Sequence, residues 1–332
     1  MPRRQATTMD IALETELSRP VVSAILNNRK KPYMRYSDNT RTRVLAAAEK
    51  LGYRPNRSAL NLKNRRHNAI GIYAGHSIYN IHDRTLNQMI HLSRNNKLNT
   101  VIETNNPAEN IMPISLLEHS VDGIIVFQDM PMVENEIEKA GLPVVFVNTN
   151  QNNGANCITY AEVDGMKSGL KHLRENGIGK TGYICSKEQM RHYSAKIRLA
   201  TFQSHAGEGS CLLILDSSID AEKGRKNTFR QMKSFLMQNP GIDGIILSAD
   251  IFAPLFYHAA HSMNLRIPQD MSLIAYNDTG ISRLLQPEVT ALTVDYPKLA
   301  EKSLSMLMKI MNGKAPGGPL MVKYDIVKRS SG

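Results

Sequence analysis

The sequence predicts an α/β protein in two parts: a small all-α segment at the N-terminus, then a two-lobed core of parallel sheets. Three observations predict it. Residues 1–66 hold three short amphipathic helical patterns and almost all of the net charge. After Asn68 the texture changes to β-rich runs that alternate with amphipathic helical stretches. That alternation comes as two successive series, enough for two lobes. At 332 residues the chain exceeds one ordinary core, and nothing in it approaches the ~18 uninterrupted apolar residues of a membrane span.

Composition narrows the function. Of the formal net charge of +11, residues 1–66 carry +10, with 15 Lys/Arg against 5 Asp/Glu. An excess confined to one small segment is the footprint of a polyanion binder. Nucleic acid and an anionic membrane both satisfy it on charge alone. The opening "MPRRQATTMD" is basic with no apolar run behind it, so no secretory signal is expected. Cys157, Cys185 and Cys211 are far apart and form no CxxC pair. They read as reduced thiols of a cytoplasmic protein, with neither a zinc site nor a disulfide framework.

The first helix is expected after Thr7 or Thr8 as its cap, with Ile11, Ala12 and Leu17 on the apolar face and Asp10 and Glu14 in early turns. Ser18 is placed to cap a second helix, where Pro20 is tolerated because first-turn N–H groups lack helical partners. Val22, Ile25 and Leu26 fall on one stripe. A third helix spans "NTRTRVLAAAEKLG", capped by Asn39 or Thr40, with Val44, Leu45, Ala48 and Leu51 inward and Gly52 as its stop. Such short helices are not stable alone in water and must share a core. Three of them, the first two joined by a tight turn, make a helix-turn-helix.

At these residues the chain resembles the lactose/galactose repressor family of bacterial transcription regulators. The family's opening motif stands here as Thr7, Asp10, Ile11, Ala12, Leu17, Ser18, Val22, Ser23, Ile25, Leu26 and Asn27. Its next motif stands as Thr40, Arg41, Arg43, Val44, Ala47 or Ala48, Leu51, Gly52, Tyr53, Pro55 and Asn56. Three departures are informative. Glu16 holds the turn position where the family prefers Gly, at ~1 kcal/mol if positive φ is needed. Ala24 replaces a frequent recognition-helix Arg, and the loop after Asn27 is longer and carries Arg29, Lys30, Lys31 and Arg35, read as phosphate contacts.

The resemblance implies that Arg19, Pro20 and Ala24 face base edges in the major groove of DNA. Arg19 would donate two hydrogen bonds to guanine, while Pro20 and Ala24 offer apolar contact. Thr7, Thr8, Ser18, Ser23, Asn27, Thr40, Tyr53 and Asn56 complete the implied DNA-contacting set, the hydroxyls and amides suiting phosphates. The stretch "NRSALNLKNRR" alone reads as a linker. By resemblance it is a hinge helix that orders on operator DNA, with Leu62 wedged into the minor groove and Ala59 letting two copies approach.

Beyond residue 68, strands are expected at "AIGIYA", "NTVIE", "DGIIVF" and "PVVFVN", then at "TGYICS", "CLLILD", "DGIILS" and "MSLIAYND", with helices between. This region also resembles the family, whose core is similar to periplasmic sugar-binding proteins, through "GLPVVFVN", "DGMKSGLKHLRENGIGKTGYI", "SAKIRLATF" and "LRIPQDMSLIAYNDT". The implied division is a DNA-binding domain over 1–55, a hinge over 56–67, an N-terminal lobe over 68–160 plus 294–323, and a C-terminal lobe over 161–293 plus 324–332. No leucine-heptad tail follows "DIVKRSSG", so a homodimer is expected.

The resemblance lines an effector cleft with Ile78, Tyr79, Phe127, Gln128 and Asn148 from one lobe and Arg198, Asp250 and Asn277 from the other. Arg198 would hold the effector, its planar fork suiting paired hydroxyls or a carboxylate. Asn148 and Asn277 stand where the family often has Asp, which makes the cleft less acidic. An anionic effector such as a sugar acid, or a neutral sugar held more weakly, follows as the expectation.

No catalytic constellation is found. "GIGKT" lacks the first Gly of a phosphate loop, where Arg174 stands, and no GxGxxG, GxSxG or HExxH occurs. His258 and His261 are three apart with no third ligand nearby, so neither metal nor cofactor is expected. The reading is a cytoplasmic, operator-binding transcription regulator controlled by a small molecule, with double-stranded DNA and a second copy as partners. A repressor is expected, and induction and corepression remain equally open. A periplasmic-type binding protein would explain the lobes without the basic headpiece. An enzyme has only the fold in its favour.

Overall fold

The structure is a computed structural model that describes residues 6–26, 36–54, 66–74, 83–104, 114–118, 120–127, 135–137, 139–150, 153–219 and 221–332. The chain forms two compact units that divide between His67 and Asn68.

In the first unit α1 (Thr8–Thr15), α2 (Arg19–Leu26) and α3 (Asp38–Lys50) close on one small core. Ile11, Ala12, Val22, Ile25, Val44, Ala47 and Ala48 fill it, with Leu17, Leu51 and Tyr53 packed at its margin. Thr7 starts α1 with a capping box: its hydroxyl accepts from the Asp10 amide at 3.3 Å, and its own amide donates to Asp10 Oδ2 at 2.7 Å. Glu16 ends the helix in the left-handed region, at φ 53°, so the turn does require the conformation for which Gly is suited. Ser18 gives its carbonyl to the Val21 and Val22 amides at 3.0 and 3.2 Å, yet its hydroxyl makes no hydrogen bond among the described residues.

Two details differ from expectation. Ser37, not Asn39 or Thr40, caps α3, because its hydroxyl accepts from the Thr40 amide at 3.1 Å. Leu45 is 46% exposed, since the inward stripe runs through Val44, Ala47 and Ala48 instead.

The second unit is built on two six-stranded sheets. Its first strands and helices are β1 (Ala69–Tyr73), α4 (Asp83–Asn95), β2 (Asn99–Glu103), α5 (Ile114–Leu117), β3 (Ile124–Val126), β4 (Val144–Val147) and β5 (Cys157–Tyr160). Then come α6 (Glu162–Glu175), β6 (Thr181–Ser186), α7 (Tyr193–His205), β7 (Cys211–Leu215), α8 (Glu222–Gln238), β8 (Gly244–Leu247), α9 (Ala253–His261) and β9 (Ser272–Tyr276). The chain finishes with α10 (Gly280–Leu284), β10 (Thr290–Thr293), α11 (Tyr296–Met311), β11 (Leu320–Val322) and β12 (Asp325–Val327).

The first sheet has the order β11-β5-β4-β3-β1-β2, with every pairing parallel. The second has the order β12-β10-β9-β8-β6-β7, parallel except where β12 pairs antiparallel with β10. Helices cover both faces, so the central strands are buried throughout; β1, β6, β8 and β9 expose no residue. The chain passes between the sheets three times: at Ala161 after β5, at Val294–Asp295 after β10, and at Lys323–Tyr324 between β11 and β12. At one crossing Gly165 lets the Tyr324 ring lie against α6, where a Cβ would stand 2.6 Å from Tyr324 Cδ2.

Candidate functional site

Two regions gather the residues singled out in the sequence. On the first unit, Ser18, Arg19 and Pro20 stand exposed at the start of α2. Arg19 Nε donates to Thr8 Oγ1 at 3.3 Å, which steadies the guanidinium beside α1 without using its terminal nitrogens. Thr7 is exposed with its hydroxyl on Asp10, and Thr40 Oγ1 lies 2.9 Å from Ser37 Oγ. Ser23 and Tyr53 are half-buried, and Tyr53 packs on the helical core. Ala24 is corrected: at 5% exposure it faces inward and offers no surface to a base, because a small residue there lets α2 sit close to its neighbours. Asn27, Arg29, Lys30, Lys31, Arg35, Asn56, Ala59 and Leu62 lie outside the described residues.

On the second unit a cavity of ≈ 260 Å³ opens at the carboxyl ends of both sheets' strands, where open α/β folds bind ligands. Phe127 follows β3, Asn148 follows β4 and Tyr160 ends β5. From the other sheet come Ser248 after β8 and Asn277 after β9, with Thr279 beyond. The start of α7 adds His192, Ser194, Ala195 and Arg198, and Gln189, Thr85, Tyr296 and Leu299 complete the wall. Thus Phe127, Asn148, Arg198 and Asn277 are brought together as expected positions, while Ile78, Tyr79 and Gln128 lie outside the described residues.

Asp250 is corrected. It is 1% exposed and does not line the cavity. Its Oδ2 accepts from the Thr279 amide (2.7 Å), the Thr279 hydroxyl (2.7 Å) and the Ser282 hydroxyl (2.8 Å). With one oxygen accepting three hydrogen bonds, this carboxylate shapes the turn into α10 and holds Thr279 at the cavity wall.

Arg198 is not a surface helix residue. Its Nε donates to Glu162 Oε2 at 2.6 Å and its Nη2 to Glu162 Oε1 at 3.2 Å, a two-pronged pair buried at 7% and 2% exposure. Nη2 also donates to the Tyr324 hydroxyl at 2.7 Å and Nη1 to the Ser248 carbonyl at 3.1 Å. The guanidinium carbon lies 3.9 Å from the Tyr276 ring centre. Burial opposes the charge, but the Glu162 carboxylate, together with Tyr324 and Tyr276, outweighs it and holds the Arg198 pKa above its usual value. Sequence reasoning missed Glu162. The usable signal was its position, two residues past the end of β5, on the side where strand ends meet ligands.

Bonds also cross the cleft. The Tyr193 hydroxyl donates to Asn148 Oδ1 at 2.7 Å, and the Tyr193 amide donates to Asn150 Oδ1 at 2.8 Å. His192 Nε2 donates to the Asn148 carbonyl at 2.7 Å, while its Nδ1 accepts from the Ser194 amide at 3.3 Å and caps α7. That arrangement requires the neutral ring, and burial, partly opposed by the Asn148 hydrogen bond, lowers the His192 pKa from 6.5. Asn148 and Asn277 have φ of 51° and 71°. Asn tolerates this left-handed backbone, so both positions answer to conformation as well as to ligand chemistry. Among the described residues no His/Cys/Asp/Glu cluster could hold a metal ion, and no helix is long and apolar enough to cross a membrane.

Residues 7–56 match the family described as bacterial regulatory proteins, lacI family, and residues 170–332 match a periplasmic binding protein-like domain. The HTH-type transcriptional regulator RegA of Clostridium saccharobutylicum is 24% identical, with 97% of this chain and 98% of that protein covered. The lactose operon repressor of Escherichia coli K12 is 23% identical, with 99% and 91% covered. Among solved structures, the lac repressor dimer bound to operator and the anti-inducer ONPF superposes with a TM-score of 0.82 at 22% identity, covering 99% of each chain. A transcriptional regulator CelR–cellobiose complex gives 0.67 at 16% identity, covering 99% of this chain and 100% of that one.

Proposed function

Since the chain belongs to the lacI family of bacterial regulatory proteins, we propose that it is a DNA-binding transcription regulator, a repressor, whose operator affinity is set by a small sugar-like molecule in the interlobe cavity. It works in the cytoplasm as a homodimer, each copy reading half of a pseudo-palindromic site. The domain limits are those of the sequence reading, with residues 1–55 binding DNA, 56–67 serving as hinge, and two lobes enclosing the ligand. The observation that carries this reading is the exposed start of α2. Ser18, Arg19 and Pro20 stand clear there, on the segment that holds +10 of the net charge. A helix N-terminus with a forked cation beside it suits base edges and phosphates together.

Ligand occupancy changes the set of bonds across the cleft at Asn148, Asn150, His192 and Tyr193, and so biases the lobes between arrangements with different operator affinity. The test is selection of fragments from random DNA by the full chain at ~150 mM salt. Recovery of a pseudo-palindrome is expected, and Arg19→Ala is expected to relax preference at one base pair per half-site, by about 1–3 kcal/mol. Sequence-blind binding that disappears with modest added salt would overturn the reading.

A further inference from the structure

Arg198 is the one formal cation on the cavity wall among the described residues. Left alone, its fork would favour a carboxylate or phosphate. Glu162 already holds the edge such a ligand would use, through contacts of 2.6 and 3.2 Å. Both side chains are withdrawn from water, so salt screens the pair far less than it would at a surface. Tyr324 and Ser248 take two more N–H groups, which leaves a single Nη1 N–H for a ligand.

We propose that Glu162 is a specificity-determining residue: by satisfying the charge of Arg198 before any ligand arrives, it reserves the cavity for neutral polyhydroxy molecules of monosaccharide size. The inference rests on the cavity being the effector site. The remaining wall supports it. His192 is held in its neutral form by the bonds on both ring nitrogens. Gln189, Ser248, Asn277 and Thr279 combine donors and acceptors, as alcohol groups do, and the Asn277 side-chain amide is unengaged among the described residues. An anion entering here would lose its hydration, meet an ion pair with no charge left to give, and lie near the Glu162 carboxylate. A hydroxyl loses far less and finds partners of both kinds. The cavity, ≈ 260 Å³, suits a ligand of monosaccharide size.

The test follows the folding equilibrium of the full chain in inorganic phosphate, against potassium chloride of equal ionic strength. Wild type is compared with Glu162→Gln, Glu162→Asp and the double variant Glu162→Gln/Arg198→Gln. In Glu162→Gln the guanidinium has lost its counter-charge, so ~10 mM phosphate binding with a Kd near ~1 mM shifts the equilibrium towards the folded state about tenfold. This holds whether the variant begins folded or is brought to fold by the anion. Wild type, Glu162→Asp and the double variant shift by less than about twofold. A shift of equal size in wild type, no shift in Glu162→Gln, or one that survives in the double variant overturns the proposal. No DNA enters this measurement, so its failure is distinct from failure of the operator selection.

Discussion

Arg198 shows how far a single residue can be read from sequence and where reading stops. The pattern around "KIRLATF" located it in the cleft, and the cavity does include it. Its partner could not be read, because Glu162 and Arg198 are 36 residues apart and meet only once α6 and α7 pack together. Removing one member leaves a buried charge without a partner. Arg198→Met is therefore expected to lower unfolding free energy by about 3–5 kcal/mol, and adding Glu162→Met to recover most of it, as urea denaturation would measure. His192 gives a second expectation at this scale. Its folded pKa lies below 6.5, so the unfolded chain takes up the proton first. Its contribution is complete above about pH 6.5 and is lost as pH falls through the lower folded value. Urea midpoints measured from pH 8 to 5 should show that decline in wild type, and His192→Asn, which keeps an acceptor for the cap, should flatten it.

At the scale of elements, periodicity carried most of the information. β1, β6 and β9 are apolar runs bounded by turn residues, and α1 to α3 have apolar stripes at helical spacing, so their existence was legible. Their caps were less so, because Ser37, Asn39 and Thr40 are chemically equivalent cap candidates and only backbone geometry selects Ser37. Ala24 failed for a related reason: a one-carbon side chain reads equally well as surface or as close packing, and it is packed. The turn after α1 yields a prediction. Glu16 is held at φ 53°, where a Cβ is unfavourable, so Glu16→Gly should stabilise the first unit by about 0.5–1 kcal/mol. Slower amide exchange of Val22 and Ile25 would register the gain. Unchanged exchange would mean that contacts of the Glu16 side chain already offset the strain.

For the molecule as a whole, the alternation of strands and helices foretold two parallel sheets; both are present, the second with one antiparallel edge strand. What no local pattern carries is that each sheet is finished by a strand from the far end of the chain. β11 closes the edge beside β5, and β12 the edge beside β10. Beyond β12, Ser331 donates its hydroxyl to the Leu273 carbonyl at 2.6 Å and accepts from the Thr290 amide at 2.8 Å. Deleting residues 324–332 should therefore depress the folding transition of the second unit sharply, while the helical signature of residues 6–54 persists; a transition unchanged in differential scanning would contradict this. The same arrangement bears on the order in which the molecule comes into being. During synthesis α1 to α3 precede both sheets and have their whole core to hand. Neither sheet acquires its last strand until more than three hundred residues have been translated, and until then both keep an open edge. A ribosome engaged on this message thus carries the folded helices well before it carries the cavity that is to regulate them.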